Sequence, residues 1–225
     1  LVQETPPMLF ASRQSVVAAL LELLPHARST SQGGTSLEVN LGGADPPNVR
    51  ESRRIEGTRF RSRSTGGSGA PQVSAFLDGV QRSEICLWIG TTPVLLGRVG
   101  AVIRARVSRK LVTWGSGPML HEALYAPPHV AGLERAPIPV IVVDPEDETV
   151  RDHPYLAVRD AYRRVQSQRE RIEHALADAF LAQSGETLYI DGSLPNSESV
   201  LKSISVIAVV KSHQTLYVAG EDLST

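Results

Sequence analysis

Two acids that close apolar runs are the residues best placed to do chemistry in this chain. The run Val73–Leu77 leads into Asp78-Gly79, and the run Leu188–Ile190 leads into Asp191-Gly192-Ser193. Each reads as a buried strand that delivers a carboxylate at its C-terminal end, where the chain turns. Ligands of open sheets gather at such ends. A third carboxylate is available on the helical stretch between them, from Glu173, which borders the apolar stripe, or from Glu170, about a quarter-turn away. Converging carboxylates are what Mg²⁺ or Mn²⁺ requires, since these hard ions take oxygen ligands. Two such ions about 3.5–4 Å apart can activate a water and stabilise a leaving oxygen, which is what phosphodiester hydrolysis needs. Taken singly, an Asp-Gly pair is a turn signal. Glu170 and Glu173 are likewise ordinary partners for Arg163, Arg169 and Arg171 on a solvated helix face. The metal reading rests on the two pairs together and on their order.

The elements that must position these acids follow from periodicity and breakers. Ser12–Leu24 reads as a helix capped by Ser12, with Val16, Val17, Leu20, Leu21, Leu23 and Leu24 on a broad apolar face. Val73–Leu77, Ile85–Ile89, Val94–Val107 (a longer strand or a bent hairpin), Leu111–Trp114 and Met119–Tyr125 read as strands with short, antiparallel connections. Val140–Val143 is a further buried strand, ahead of the acidic stretch Asp144, Glu146, Asp147 and Glu148. The spacing predicts a long helix over 154–183, ended by Ser184-Gly185. Leu188–Ile190, a short helix over Asn196–Ser203 capped by Asn196, Val206–Val210 and Leu216–Val218 complete the order.

Residues 28–72 differ in kind: they are rich in Ser, Gly, Pro and Arg, and poor in large apolar residues. Arg53, Arg54, Arg59, Arg61 and Arg63 cluster there around Phe60. Cations with an interleaved aromatic suit a single-stranded nucleic acid, because phosphates need charge and bases need a stacking face. A solvated basic segment is the alternative. The organisation expected is therefore an N-terminal helix with a long basic loop over 1–72 and a catalytic domain over 73–225.

Strand with Asp, antiparallel strands, long helix with Glu, strand with Asp, short helix and strand is the order of an RNase H-like α/β domain. Such a domain has a mixed sheet of antiparallel and parallel strands with flanking helices. Within that order, Ala75-Phe76-Leu77-Asp78-Gly79, Leu188-Tyr189-Ile190-Asp191-Gly192-Ser193-Leu194 and Val206-Ile207-Ala208-Val209-Val210-Lys211 resemble the successive motifs of the NurA family of nucleases. The resemblance covers about Val73 to Val218. It implies that Asp78, Asp191 and a helix glutamate (Glu173, or alternatively Glu170) are metal ligands. It also implies that Lys211 contacts a phosphate or the scissile region. Beyond the residues, it implies an Mn²⁺-dependent (or Mg²⁺-dependent) DNA nuclease, a 5′–3′ exonuclease also active on single strands. Such enzymes work as homodimers docked on a hexameric HerA-type DNA-translocating ATPase, in end processing, repair or phage defence. The family domain continues past the lysine strand with a helix bearing a His or an acid, a segment this sequence does not hold. That departure motivates a second expectation, a non-catalytic module of the same fold that docks on an ATPase ring.

The bounds fit these expectations. At 225 residues the chain can bury a real core, and its net charge of −1 is not that of a chain coated for nucleic acid. The single Cys86 cannot form an internal disulfide, and no apolar run approaches membrane-spanning length, so a cytoplasmic setting is expected. The histidines have no zinc-like spacing; His213, just past Lys211, is the one placed to reach a phosphate. No nucleophile elbow and no phosphate-binding P-loop is present.

Overall fold

The computed structural model describes residues 10–30, 73–144, 153–192, 194 and 196–209, and the backbone of 48–49 and 215–216. Helix α1, Arg13–Leu23, starts where the Ser12 hydroxyl accepts the Ser15 amide at 3.0 Å. It buries Val16, Val17 and Leu20. Helix α2, Pro154–Gln183, begins with a proline, whose missing N–H costs nothing in the first turn. Its stripe of Val158, Ala161, Val165, Ile172, Leu176 and Phe180 is the buried one. These residues recur every three, four or seven positions, so they fall on one face.

The strands are β1 (Arg28–Ser29), β2 (Asn48–Val49), β3 (Ala75–Ile89), β4 (Thr92–Val107), β5 (Lys110–Thr113), β6 (Met119–Ala126), β7 (Val140–Val142), β8 (Leu188–Asp191), β9 (Val206–Val209) and β10 (Thr215–Leu216). A short helix, α3 (Glu198–Lys202), joins β8 to β9. The main path through the sheet is β7-β6-β4-β3-β8-β9, with β1 on β3 and β5 on β4 as side pairings. β4 is antiparallel to both β3 and β6, whereas β7 on β6, β8 on β3 and β9 on β8 are parallel. The chain is thus an α/β protein with a mixed sheet and flanking helices. β2 and β10 form a separate parallel pair.

Alternation along the strands divides the core into two layers. On one face Leu77, Leu95, Val99, Ile103, Tyr125 and Ile190 pack under α2. On the other, Leu87, Val94, Leu96 and Leu124 pack under α1. The face of α1 is tied down by charge as well. Glu84, buried on β3, lies 3.6 Å from Arg13 of α1 and 3.7 Å from Arg98 of β4. Arg98 also donates to Glu122 at 2.6 Å and to the Ala11 carbonyl at 2.7 Å. Cys86, buried on the same face, has its thiol pushed up to about 12 by burial.

Two sequence expectations fail here. Asp78-Gly79 is not a turn: β3 runs straight through it to Ile89, joining the two strands expected at Val73–Leu77 and Ile85–Ile89. Fourteen residues of β3 pair with β4 around a bulge at Ile85/Leu87, and that ladder overrides the local turn preference of Asp-Gly. Helix α3 is capped by Ser197, whose hydroxyl faces the Val200 amide, rather than by Asn196. Ser197 also donates to Asp178 of α2 at 2.7 Å, which the register of Asn196 would not provide.

Candidate functional site

β8 and β3 are parallel, with Ala75 opposite Leu188, Phe76 opposite Tyr189 and Leu77 opposite Ile190. Asp78 and Asp191 are each the next residue along, one step beyond the last paired positions. Leu77 and Ile190 face α2, so alternation sends both aspartates out of the opposite face. Both are exposed. β8 stops at Asp191, where Gly192 takes φ 128° and donates to Val209 at 3.0 Å. β3 continues, so a notch opens in the sheet beside Asp78. Among the described residues, no strand pairs with β3 on that side between Leu77 and Leu87.

Glu173 reaches the notch from the other face. It sits on α2 directly over Gly79: a Cβ added there would lie 1.8 Å from Glu173 Oε1 and 2.7 Å from Cδ. Glycine at 79 therefore serves the helix rather than a turn. Burial raises the pKa of Glu173 above the ordinary carboxylate range. Arg169, 3.6 Å away one helical turn earlier, opposes the rise, while Glu170 and Asp78 add to it. Glu170 accepts from Gln166 at 3.0 Å on the exposed side of the helix. Of the two glutamates, Glu173 is the one that approaches the aspartate strand.

The donor set suits a hard divalent ion, since Asp78 and Asp191 offer carboxylate oxygens from neighbouring positions on one face. Glu173 stands across β3 from them. Among the described residues, no three His, Cys, Asp or Glu side chains come together closely enough to hold a metal. Lys211, His213 and the arginines Arg53, Arg54, Arg59, Arg61 and Arg63 lie outside the described residues, as do Glu146, Asp147 and Glu148. Asp144 is described and exposed.

The structure adds residues that motif reading missed. Phe76 and Tyr189 form a ring pair with centroids 5.8 Å apart, one alternation step before the aspartates. Arg104 lies opposite Phe76 on β4, on the same face. The alternating strand pattern carried this signal, but only register could bring the three together. Beneath α2, Gln81 Oε1, Ser83 Oγ, His121 Nε2 and Tyr125 OH are buried without a hydrogen-bond partner. Gln81 and His121 flank Val99 in one row. Burial, reinforced by Arg171, lowers the pKa of His121.

No family model, curated protein or solved structure matches the chain. No helix among the described residues is long and apolar enough to cross a membrane.

Proposed function

We propose that this chain is a metal-dependent DNA nuclease of RNase H-like build and NurA type. The observation that carries the reading is the register that pairs Leu77 with Ile190, so that Asp78 and Asp191 follow one step on, with Glu173 held over Gly79. The path β6-β4-β3-β8-β9 supports it. In it a first strand lies between its antiparallel hairpin partner and a later parallel strand, and the long helix falls between the two aspartates in sequence.

Asp78 and Asp191 would hold a divalent ion, Mn²⁺ or Mg²⁺, with Glu173 closing the site from across the strand. When bound, such ions activate the attacking water and stabilise the leaving oxygen. The chain's own contribution is positional. β3 and β8 fix two carboxylates at one level, Gly79 admits the third, and Arg169 offsets the charge gathered there. The wider reading has the protein acting on DNA as a homodimer with a HerA-type translocase, in the cytoplasm.

Cleavage of labelled single- and double-stranded DNA with Mn²⁺ tests this directly. Asp78→Ala and Asp191→Ala are expected to abolish cleavage; activity equal to wild type in both would sink the assignment. One observation favours a second reading, a non-catalytic module that docks on a translocase ring. Asp78 and Glu173 lie on opposite sides of β3, and no three-carboxylate cluster forms among the described residues. That reading expects no stabilisation by Mn²⁺ in thermal melts, but a stable complex with the ring in size-exclusion chromatography with light scattering.

A further inference from the structure

The lower part of the sheet face opposite α2 is built differently from the rest. Near the β3–β4 hairpin that face carries Leu87, Val94, Leu96 and Leu124 under α1. Below them, Phe76, Asp78, Val80 and Arg82 alternate outward along β3, and Arg104 and Arg106 along β4. Val80 is 66 % exposed, and neither α1 nor α2 packs over this region. In one row stand Arg104, Phe76 and Tyr189, in the register of three adjacent strands. Phe76 and Tyr189 are half-buried, and their rings are inclined at 54° to each other. Arg104 donates to the Thr113 hydroxyl and the Leu111 carbonyl of β5, each at 2.7 Å, so its guanidinium is held on the far side of β4 from the rings, at the end of the row. Arg106 is exposed one alternation step further from the aspartates.

We propose that the Phe76–Tyr189 pair is a base-stacking platform for single-stranded nucleic acid, flanked by Arg104 and Arg106 as phosphate contacts. The proposal rests on the nuclease reading for its direction and deepens it by naming the residues that seat the unpaired strand. The platform and the carboxylates are two residues apart along each strand, about 6.6 Å. A nucleotide whose base stacks there sets its phosphodiester beside Asp78 and Asp191. Every base has a π-face, so such a platform tolerates sequence. It needs the base unpaired, because a base within a duplex is already stacked on both sides. The two arginines supply the positive charge that a polyanion requires next to two acids.

Binding of a fluorescent oligo-dT to the full chain, read by anisotropy in EDTA, tests this apart from catalysis. Phe76→Leu and Tyr189→Leu are each expected to weaken binding at least fivefold, in the range found for loss of one stacked base. Phe76→Tyr and Tyr189→Phe, which keep a ring, are expected to retain binding. Tyr155→Leu, at an exposed ring at the start of α2, is expected to change nothing. Arg104→Gln is expected to flatten the salt dependence of binding. A blunt duplex is expected to be indifferent to all ring changes. Tyr189→Trp supplies a direct readout, its fluorescence quenched by oligo-dT; this also decides the matter if a leucine variant fails to fold. Unchanged affinity in folded leucine variants, or no quenching, overturns the platform. If cleavage still depends on Asp78 and Asp191 in that case, the nuclease reading stands alone. A changed oligomeric state of Phe76→Leu with oligo-dT affinity intact would assign the face to a second copy of the chain and overturn the proposal.

Discussion

Replacing Gly79 by alanine separates the fold from the site. The added methyl would lie 1.8 Å from Glu173 Oε1, 2.7 Å from Cδ and 3.0 Å from Cγ. Non-bonded atoms settle near 3.5 Å, so the carboxylate oxygen must retreat by at least about 1.5 Å. Glu173 is the end of a flexible side chain whose outer atoms face the notch, so it can swing. Alanine also relieves the backbone entropy cost of glycine in a strand, roughly 0.5–1 kcal/mol. The two effects oppose each other, and the expected change in Tm is within about 3 °C of wild type. The site has no such freedom, since a displacement of about 1 Å in a reacting geometry can cost roughly a hundredfold in rate. Gly97→Ala is the matched control. Its methyl would meet Tyr125 Cε2 of β6 at 2.5 Å and Val165 Cγ2 of α2 at 2.6 Å, both in the packed layer between sheet and helix. Neither can swing, so overpacking is expected to cost about 1–3 kcal/mol. Chemical denaturation gives the stabilities, and Mn²⁺-dependent cleavage of single-stranded DNA gives the rates. Full activity in Gly79→Ala, alongside loss of activity in Glu173→Gln, would refute the claim that close approach at Gly79 is what aims the glutamate.

Two further outcomes are expected. Arg98→Met removes the arginine that pairs with the largely buried Glu122, leaves the buried Glu84 with Arg13 and Arg82 alone, and releases the Ala11 carbonyl. Breaking a buried ion pair from one side costs roughly 3–5 kcal/mol, a fall in Tm on the order of 10 °C in a thermal melt; a fall below about 2 °C would show the network to be effectively solvated. Glu173 has a raised pKa in the folded chain, so the fold favours its protonated form. Its contribution is fully present below the ordinary carboxylate pKa, about 4.3, and is lost as pH rises through the higher folded value. Glu173→Gln is therefore expected to melt above wild type at pH 8, with the gap closing toward pH 4; a gap that widens in acid contradicts the sign.

The long helix was fully legible. Pro154 at its start, Ser184-Gly185 at its end and an apolar stripe that resumes in phase after the polar stretch 166–171 all agree, and the observed span is Pro154–Gln183. β4 and β6 were legible as strand-like runs, although Val94–Val107 also read as a bent hairpin; β4 is one strand buried over most of its length, and β6 is buried over its second half. Asp78-Gly79 was misread because the local chemistry of Asp-Gly and the tertiary demand for a missing Cβ use the same residue. Only the helix that crosses it distinguishes them. Asp191-Gly192, with the same two residues, does end a strand, and there glycine adopts the positive φ that a turn asks for. Spacing favoured Glu173, which borders the stripe, and kept Glu170, about a quarter-turn away, as the alternative; the crossing of α2 over β3 puts Glu173 over Gly79. The Glu84–Arg98–Glu122 network and the Arg104–Phe76–Tyr189 row were invisible for a related reason. Each draws its members from separate strands, and register is a property of the assembled sheet.

β3 holds a double position in this sheet. By order it is interior, between β4 and β8; yet from Asp78 to Glu84 it has a described neighbour on one side only. Over that stretch it carries what edge strands carry to discourage pairing with a stranger: outward charge at Arg82, inward charge at Glu84 and a bulge just beyond, at Ile85/Leu87. Hydrogen exchange should therefore divide this one strand along its length. Amides bonded to β4 should be slow throughout, while those turned toward the notch should exchange early in the middle of an otherwise protected core. The stretch of β3 that passes beneath Glu173 is thus also the place where water first reaches the backbone of the central strand.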